Sequence, residues 1–221
     1  MTSAAVGFQC PDCMADGRAT VRGPSSLATG RKWLRKHGTV TIILIALNVL
    51  MYAATCIDAR SITNNQRSGI FLDLAMWGPA VDAGQWWRLI GSAFLHYGPT
   101  HIAVNMLSLY LLGSDVERFF GSVRFAVVYL VSGVGASIAV WIFTPNAVVA
   151  GASGAVFGLF GAAAVVLIGR KADLRPLLMI LLLNLGISLL PGISLAAHAG
   201  GFIVGGLVAL VMQRTARRIG S

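Results

Sequence analysis

With 221 residues, 56% of them hydrophobic, only 11% charged and a mean hydropathy of +0.76, the chain has too little polar surface to coat a water-soluble globule. Its formal net charge of +9 does not mark a nucleic-acid partner, because the basic residues flank apolar runs and do not share a surface with aromatic side chains. Three cysteines, Cys10, Cys13 and Cys56, are too few for a disulfide framework.

The bilayer is therefore the expected solvent, and at roughly 20 apolar residues per crossing the chain has room for about six spans. The first 38 residues are polar, Gly-rich and basic. They lack the short apolar core and small-residue cleavage site of a signal peptide, so the first span is expected to act as a retained anchor. Within this tail, Cys10-Pro11-Asp12-Cys13 has the spacing of half a structural zinc knuckle. A closed tetrahedral site wants four ligands and no second pair is near, so no metal or cofactor is expected.

Apolar runs follow at Thr39 to Ile57, His101 to Gly113, Arg124 to Phe143, Ser153 to Gly169, Leu177 to Leu190 and Leu195 to Met212. Each is expected to be helical, since only helices and closed barrels satisfy their backbone in lipid. The organisation is thus a basic tail 1–38 with a partial CxxC knuckle, an all-α, six-helix membrane domain 39–213, and a short basic tail 214–221. The long connection from Asp58 to Tyr97 carries Trp77, Trp86 and Trp87, which suit a membrane interface, and is expected to be partly helical.

Orientation follows from the basic residues, which gather in cytoplasmic connections. With the N-terminus inside, 14 of the 17 Lys and Arg residues fall on the cytoplasmic side, leaving Arg60, Arg67 and Arg88 in the long outer connection. A cell-membrane, multi-pass protein with both termini cytoplasmic is the reading.

In that topology spans two, four and six run in the same direction, and their first residues share one leaflet. His101 and Asn105 stand four apart on one face of span two, Ser153 opens span four, and His198 lies in the first turn of span six. A histidine inside a membrane helix is costly and faces the bundle interior or an aqueous cavity, which makes it a functional candidate. Alone, each of these residues could serve as hydrogen-bonding glue between helices; four at one depth point to chemistry.

Serine becomes a nucleophile when a neighbouring base takes its proton, and neutral imidazole is the usual base. Ser153 at a helix N-terminus meets unpaired N–H groups and a dipole that favours developing negative charge, and His101 and Asn105 can donate N–H groups to the same oxygen. All eight acidic residues lie in the tail or the connections, so a carboxylate third member is not expected and the set reads as a Ser153–His198 dyad. Gly154 with Gly158, and Gly201 with Gly205, give spans four and six small-residue faces for close approach.

These residues resemble the rhomboid intramembrane serine proteases, in their bacterial six-helix form, from about Trp86 to Met212. Gly151-Ala152-Ser153-Gly154 is similar to that family's GxSG nucleophile motif. His198, Gly201 and Gly205 are similar to its last-helix HxxGxxxG, and His101 to Asn105 to its HxxxN, preceded by His96 and the pair Trp87-Arg88. The resemblance implies Ser153 as nucleophile, His198 as base, and His101, Asn105 and the Ser153 N–H as the oxyanion site. It also implies that Phe157 packs on the His198 ring and that Glu117 and Arg118 form a structural motif on the cytoplasmic side. Phe8 to Cys13 resembles only the last knuckle of a zinc module carried by some actinobacterial relatives.

The implied activity is hydrolysis of a peptide bond in or near a membrane span of another protein, through an acyl-enzyme. Water would enter by an outward-facing cavity above Ser153, and client spans with weak helix formers near the outer leaflet would unwind most readily. The rival reading is an inactive relative that binds and escorts membrane proteins. A transporter would favour a midplane site, and metal-dependent or aspartyl proteolysis lacks HExxH and intramembrane acids.

Overall fold

The computed structural model describes residues 2–4, 7–9, 37–188 and 192–219, with Cys10, Cys13 and the basic residues of the N-terminal tail outside that set. The chain divides into two units, Met1–Lys36 and His37–Ser221. In the first, the described residues form an antiparallel pair of three-residue strands, β1 (Thr2–Ala4) and β2 (Gly7–Gln9), which the polar composition gave no reason to expect.

The second unit is helical: α1 (Thr39–Ala59), then in the long connection α2 (Gly69–Leu74), α3 (Gly78–Asp82) and α4 (Arg88–Gly91). Next come α5 (Gly98–Ser108), a π turn at Leu109–Gly113, α6 (Ser114–Phe120) and α7 (Ser122–Phe143). The bundle ends with α8 (Ser153–Gly169), α9 (Arg175–Ser188) and α10 (Leu195–Ile219). Among the described residues Thr39–Ala59, Ser122–Phe143 and Leu195–Thr215 are each long and apolar enough to cross a bilayer alone. With the continuous α5–π–α6 segment and the shorter α8 and α9, the six expected spans are all present.

The helices outrun the apolar runs that predicted them. The second span begins at Gly98, three residues before His101, where Pro99 fits the first turn because its missing N–H is unneeded there. The helix continues through the π turn to Phe120, and α10 extends past Met212 to Ile219. Charged side chains are good helix formers and can leave the apolar layer along their stems, so hydropathy marks the crossing and not the helix end.

α8 is the central element, packing chiefly on α10 and α7. Its residues from Gly154 through Ala162 are buried without interruption, as a helix that is apolar on every side requires. Leu109, Phe125, Val128 and Leu159 fill the core around it, while Leu50, Ile57 and Val123 point outward, 66%, 77% and 79% exposed, as lipid-facing residues. Since lipid is as apolar as leucine, helix association here depends on close packing. A methyl group on Gly201 would collide with the Gly154 carbonyl, and one on Gly205 with the Gly158 carbonyl. The two backbones are in direct contact.

Two charged residues are buried as caps for distant helix ends. Glu117, 4% exposed, accepts from the Val40 and Thr41 N–H groups (3.0 and 2.8 Å), the Thr41 hydroxyl (2.8 Å) and the Ser122 hydroxyl (2.6 Å). It thereby satisfies N–H groups at the start of α1 that the helix cannot pair itself. Arg88, 7% exposed, donates through Nη1 to the Leu72 and Ala75 carbonyls, both at 2.7 Å, and through Nε to Gln85 Oε1 at 2.6 Å, closing the C-terminal end of α2. Arg118 stays at the surface, where it pairs with Asp115.

Gly201→Ala should lower stability by about 1–3 kcal/mol, measured as thermal unfolding in detergent. Glu117 lies beyond the apolar part of the second span. Burial raises its carboxyl pKa, but the hydrogen bonds from Ser122, Val40 and Thr41 outweigh that effect and hold the group below its ordinary value. Because the folded value is depressed, its stabilisation is complete above the unfolded value of about 4.3 and disappears as pH falls through the folded value. Glu117→Gln should therefore unfold at lower temperature at neutral pH, and should lose less stability than the parent as the pH falls from about 5 into the strongly acidic range.

Candidate active site

The connection between α7 and α8 is pinned to the outer loop by backbone pairing. Met76 and Val149 exchange N–H···O bonds at 2.9 Å, Gly78 N–H donates to the Pro145 carbonyl at 2.9 Å, and Gly151 N–H to the Ser92 carbonyl at 2.9 Å. Gly151 then turns the chain with φ +141, a conformation open to glycine and costly to other residues. A Cβ there would also lie 2.8 Å from His101 Cε1.

Ser153 opens α8 just beyond this turn. No side chain caps the helix, and the N–H groups of its first turn have no intrahelical acceptor. The 17 residues of α8 rise about 26 Å, less than the roughly 30 Å of the hydrocarbon layer. Set with Arg170 and Lys171 at one membrane surface, a helix of that length would leave Ser153 short of the other.

His198 comes from the first turn of α10, whose start is capped by Ser194, its hydroxyl accepting from the Ala197 N–H at 3.2 Å. Ser153 Oγ and His198 Nε2 are 2.9 Å apart. The His198 ring is 7% exposed and stacks on Phe157, with centroids 4.0 Å apart and planes at 6°. Phe157 stands one turn after Ser153, so a single helix supplies both the hydroxyl and the surface that orients the imidazole.

His101 and Asn105 reach the same place from α5. Asn105 Nδ2 donates to the His101 carbonyl at 2.9 Å, which uses one of its two N–H groups. Tyr97 N–H donates to His101 Nδ1 at 3.1 Å. The position of a Gly151 Cβ is 3.1 Å from His101 Nε2 and 3.6 Å from Ser153 Oγ, so the second ring nitrogen and the hydroxyl both lie close to the same face of Gly151.

Ser153, His198, His101, Asn105, Tyr97 and Asn184 line a cavity of about 1050 Å³ between α5, α8, α9 and α10. A second void of about 20 Å³, room for one water, lies on the other side of Ser153 beside Ser92 and Ser137, whose hydroxyls are 3.3 Å apart. Of the other expected residues, His96 is fully buried with its ring 5.2 Å from that of His101. Trp87 donates its indole N–H to the Asp73 carbonyl at 3.0 Å.

Sequence reasoning passed over Tyr97, Ser194 and Asn65. Ser194 was recoverable, since serine just ahead of an apolar run is a helix-start signal. Tyr97 acts on His101 through its backbone N–H, which any residue but proline supplies, and Asn65 acts chiefly through backbone partners 31 and 33 residues away; neither left a local trace.

A Rhomboid domain family model matches residues 83–215. The chain is 39% identical to the rhomboid protease GluP of Bacillus subtilis (strain 168) over 76% of this chain and 33% of that protein. It is 37% identical to RHOMBOID-like protein 4 of Arabidopsis thaliana over 60% of this chain and 35% of that protein, and 27% identical to the rhomboid protease AarA of Providencia stuartii over 87% and 79%. The chain thus spans about a third of the length of the first two and most of the third. A polytopic helical bundle matched by this domain over residues 83–215, the chain belongs to the rhomboid family.

Proposed function

We propose that this chain is an intramembrane serine endopeptidase that cleaves membrane spans of other proteins through a Ser153–His198 dyad. The observation that carries the reading is the 2.9 Å contact between Ser153 Oγ and His198 Nε2 at the wall of a large cavity. The names of GluP and AarA as rhomboid proteases support it.

In the proposed reaction the Ser153 hydroxyl donates its proton to His198 Nε2 as Oγ attacks the substrate carbonyl. His198 then returns the proton to the leaving amine, and a water activated by the same imidazole hydrolyses the acyl-enzyme. The oxygen of the tetrahedral intermediate takes hydrogen bonds from the Ser153 N–H, His101 Nε2–H and the second Asn105 N–H, at the positive end of α8.

The cavity would supply the water that the lipid excludes. Among the described residues α9 packs on α8 and α10 far more sparsely than those two pack on each other, and it is the wall that would part to admit a client helix. That client must expose its backbone near the serine, which favours spans with weak helix formers at that depth. The positive-inside pattern supports a cell-membrane domain over 39–213 with both termini cytoplasmic and the cavity opening outward.

Reconstituted with a labelled transmembrane substrate, the protein should cleave it, and Ser153→Ala and His198→Ala should each abolish cleavage. Undiminished turnover by either variant would sink the dyad. A fluorophosphonate probe should label Ser153 and fail to label it when His198 is replaced. Asn105→Ala should retain activity reduced about 100- to 1000-fold, the loss for one oxyanion donor.

A further inference from the structure

Asn65 lies in the long outer connection, far in sequence from every residue of the proposed dyad. It is completely buried and begins the short 3-10 turn Asn65–Arg67. Its amide is fully engaged. Nδ2 donates to Thr55 Oγ1 of α1 at 3.0 Å and to the His96 carbonyl at 2.7 Å, and Oδ1 accepts from the Gly98 N–H at 3.0 Å. Removing such a group deprives the buried His96 carbonyl and Gly98 N–H of their side-chain partner, which costs more than the bonds themselves return.

The two backbone groups that Asn65 holds lie on either side of Tyr97. Gly98, with φ +69, completes the turn between them. The Tyr97 side chain is fixed as well, its hydroxyl donating to the Val148 carbonyl at 3.0 Å and its ring centroid 4.9 Å from that of Phe71. The peptide thus immobilised is the one whose N–H donates to His101 Nδ1 at 3.1 Å.

A backbone N–H can only donate, so Nδ1 must be the acceptor nitrogen of a neutral imidazole, and the ring proton sits on Nε2. Nε2 lies on the Gly151 side of the ring, where Ser153 Oγ also lies, and His101 and Ser153 both line the large cavity. The opposite tautomer would present a lone pair to a developing oxyanion and repel it.

We propose that Asn65 is a positioning residue for the reaction: by clamping the His96 carbonyl and the Gly98 N–H it aims the Tyr97 N–H at His101, and so holds His101 in the tautomer that donates into the oxyanion site. This rests on the reading of His101 as an oxyanion donor. The chain of contacts is Asn65 to backbone, backbone to imidazole, imidazole to oxyanion.

The test uses the full chain in lipid nanodiscs, with nitrogen-15-labelled histidine for spectroscopy and the same substrate for kinetics. The parent should show His101 with a bare Nδ1 and a protonated Nε2, identified by the signals missing from His101→Ala. Asn65→Ala, and Asn65→Asp, which keeps the acceptor for Gly98 and removes both donors, should mix the two tautomers. Both should lower kcat about 10- to 100-fold, the size of the loss when the hydrogen-bond partner that orients a metal-ligating histidine is removed, with KM little changed. In a His101→Ala background, Asn65→Ala should cost almost nothing further, since residues acting as a unit are not additive.

An unchanged His101 tautomer in folded Asn65 variants, or a full additional loss in the His101→Ala background, would overturn the proposal. So would the absence of folded protein for both variants, which would make Asn65 structural. If His101→Ala itself cleaves as fast as the parent, the oxyanion reading fails, and the nitrogen spectra still decide whether Asn65 sets the tautomer.

Discussion

The contact between the backbones of α8 and α10 sets the position of everything else in the site. Gly201 faces the Gly154 carbonyl and Gly205 the Gly158 carbonyl with no side chain between them. Two helices at that separation have little freedom to slide or roll, because interiors packed to this density transmit displacement and do not absorb it. Ser153 stands next to Gly154, and His198 three residues before Gly201. The hydrogen-bond distance between them is therefore a property of helix packing, and Phe157 adds the rotational constraint by stacking on the imidazole.

Around that rigid pair, backbone groups at helix ends and in the outer connection are satisfied from far away in the chain. Glu117 caps the start of α1, Arg88 closes the end of α2, and Asn65 joins α1 to the turn that leads into α5. Each is a single side chain that answers several backbone groups where local sequence offers none. Once buried in protein such groups must be met internally, so these residues hold the outer loop and the helix ends in place.

The six spans, and the convergence of Ser153, His198, His101 and Asn105 on one cavity, were legible because both follow from local rules. Apolar runs report crossings, and costly polar residues at matched depth, Ser153, His198, His101 and Asn105, report where the helices converge. The helix ends were less legible, since Gly98 to Thr100, Ser114 to Phe120 and the residues after Met212 are helical for reasons that hydropathy does not measure. The π turn at Leu109–Gly113 leaves no composition signal. Asn65 was invisible because its two backbone partners lie 31 and 33 residues away, a pairing that a single sequence does not record, and Tyr97 because it meets His101 through its backbone N–H, which carries no residue identity. Arg118 was expected alongside Glu117 in one structural motif; only Glu117 turns inward, as the i,i+1 geometry of a helix requires of neighbours.

The turn at Gly151 has a consequence for how the chain can vary. A side chain there would begin 2.8 Å from His101 Cε1 and 3.1 Å from Nε2, and the backbone φ of +141 would strain it as well. Two independent grounds therefore close the position to every residue that carries a Cβ. Connecting segments ordinarily tolerate exchange; this one tolerates none at the point where it delivers the chain to α8.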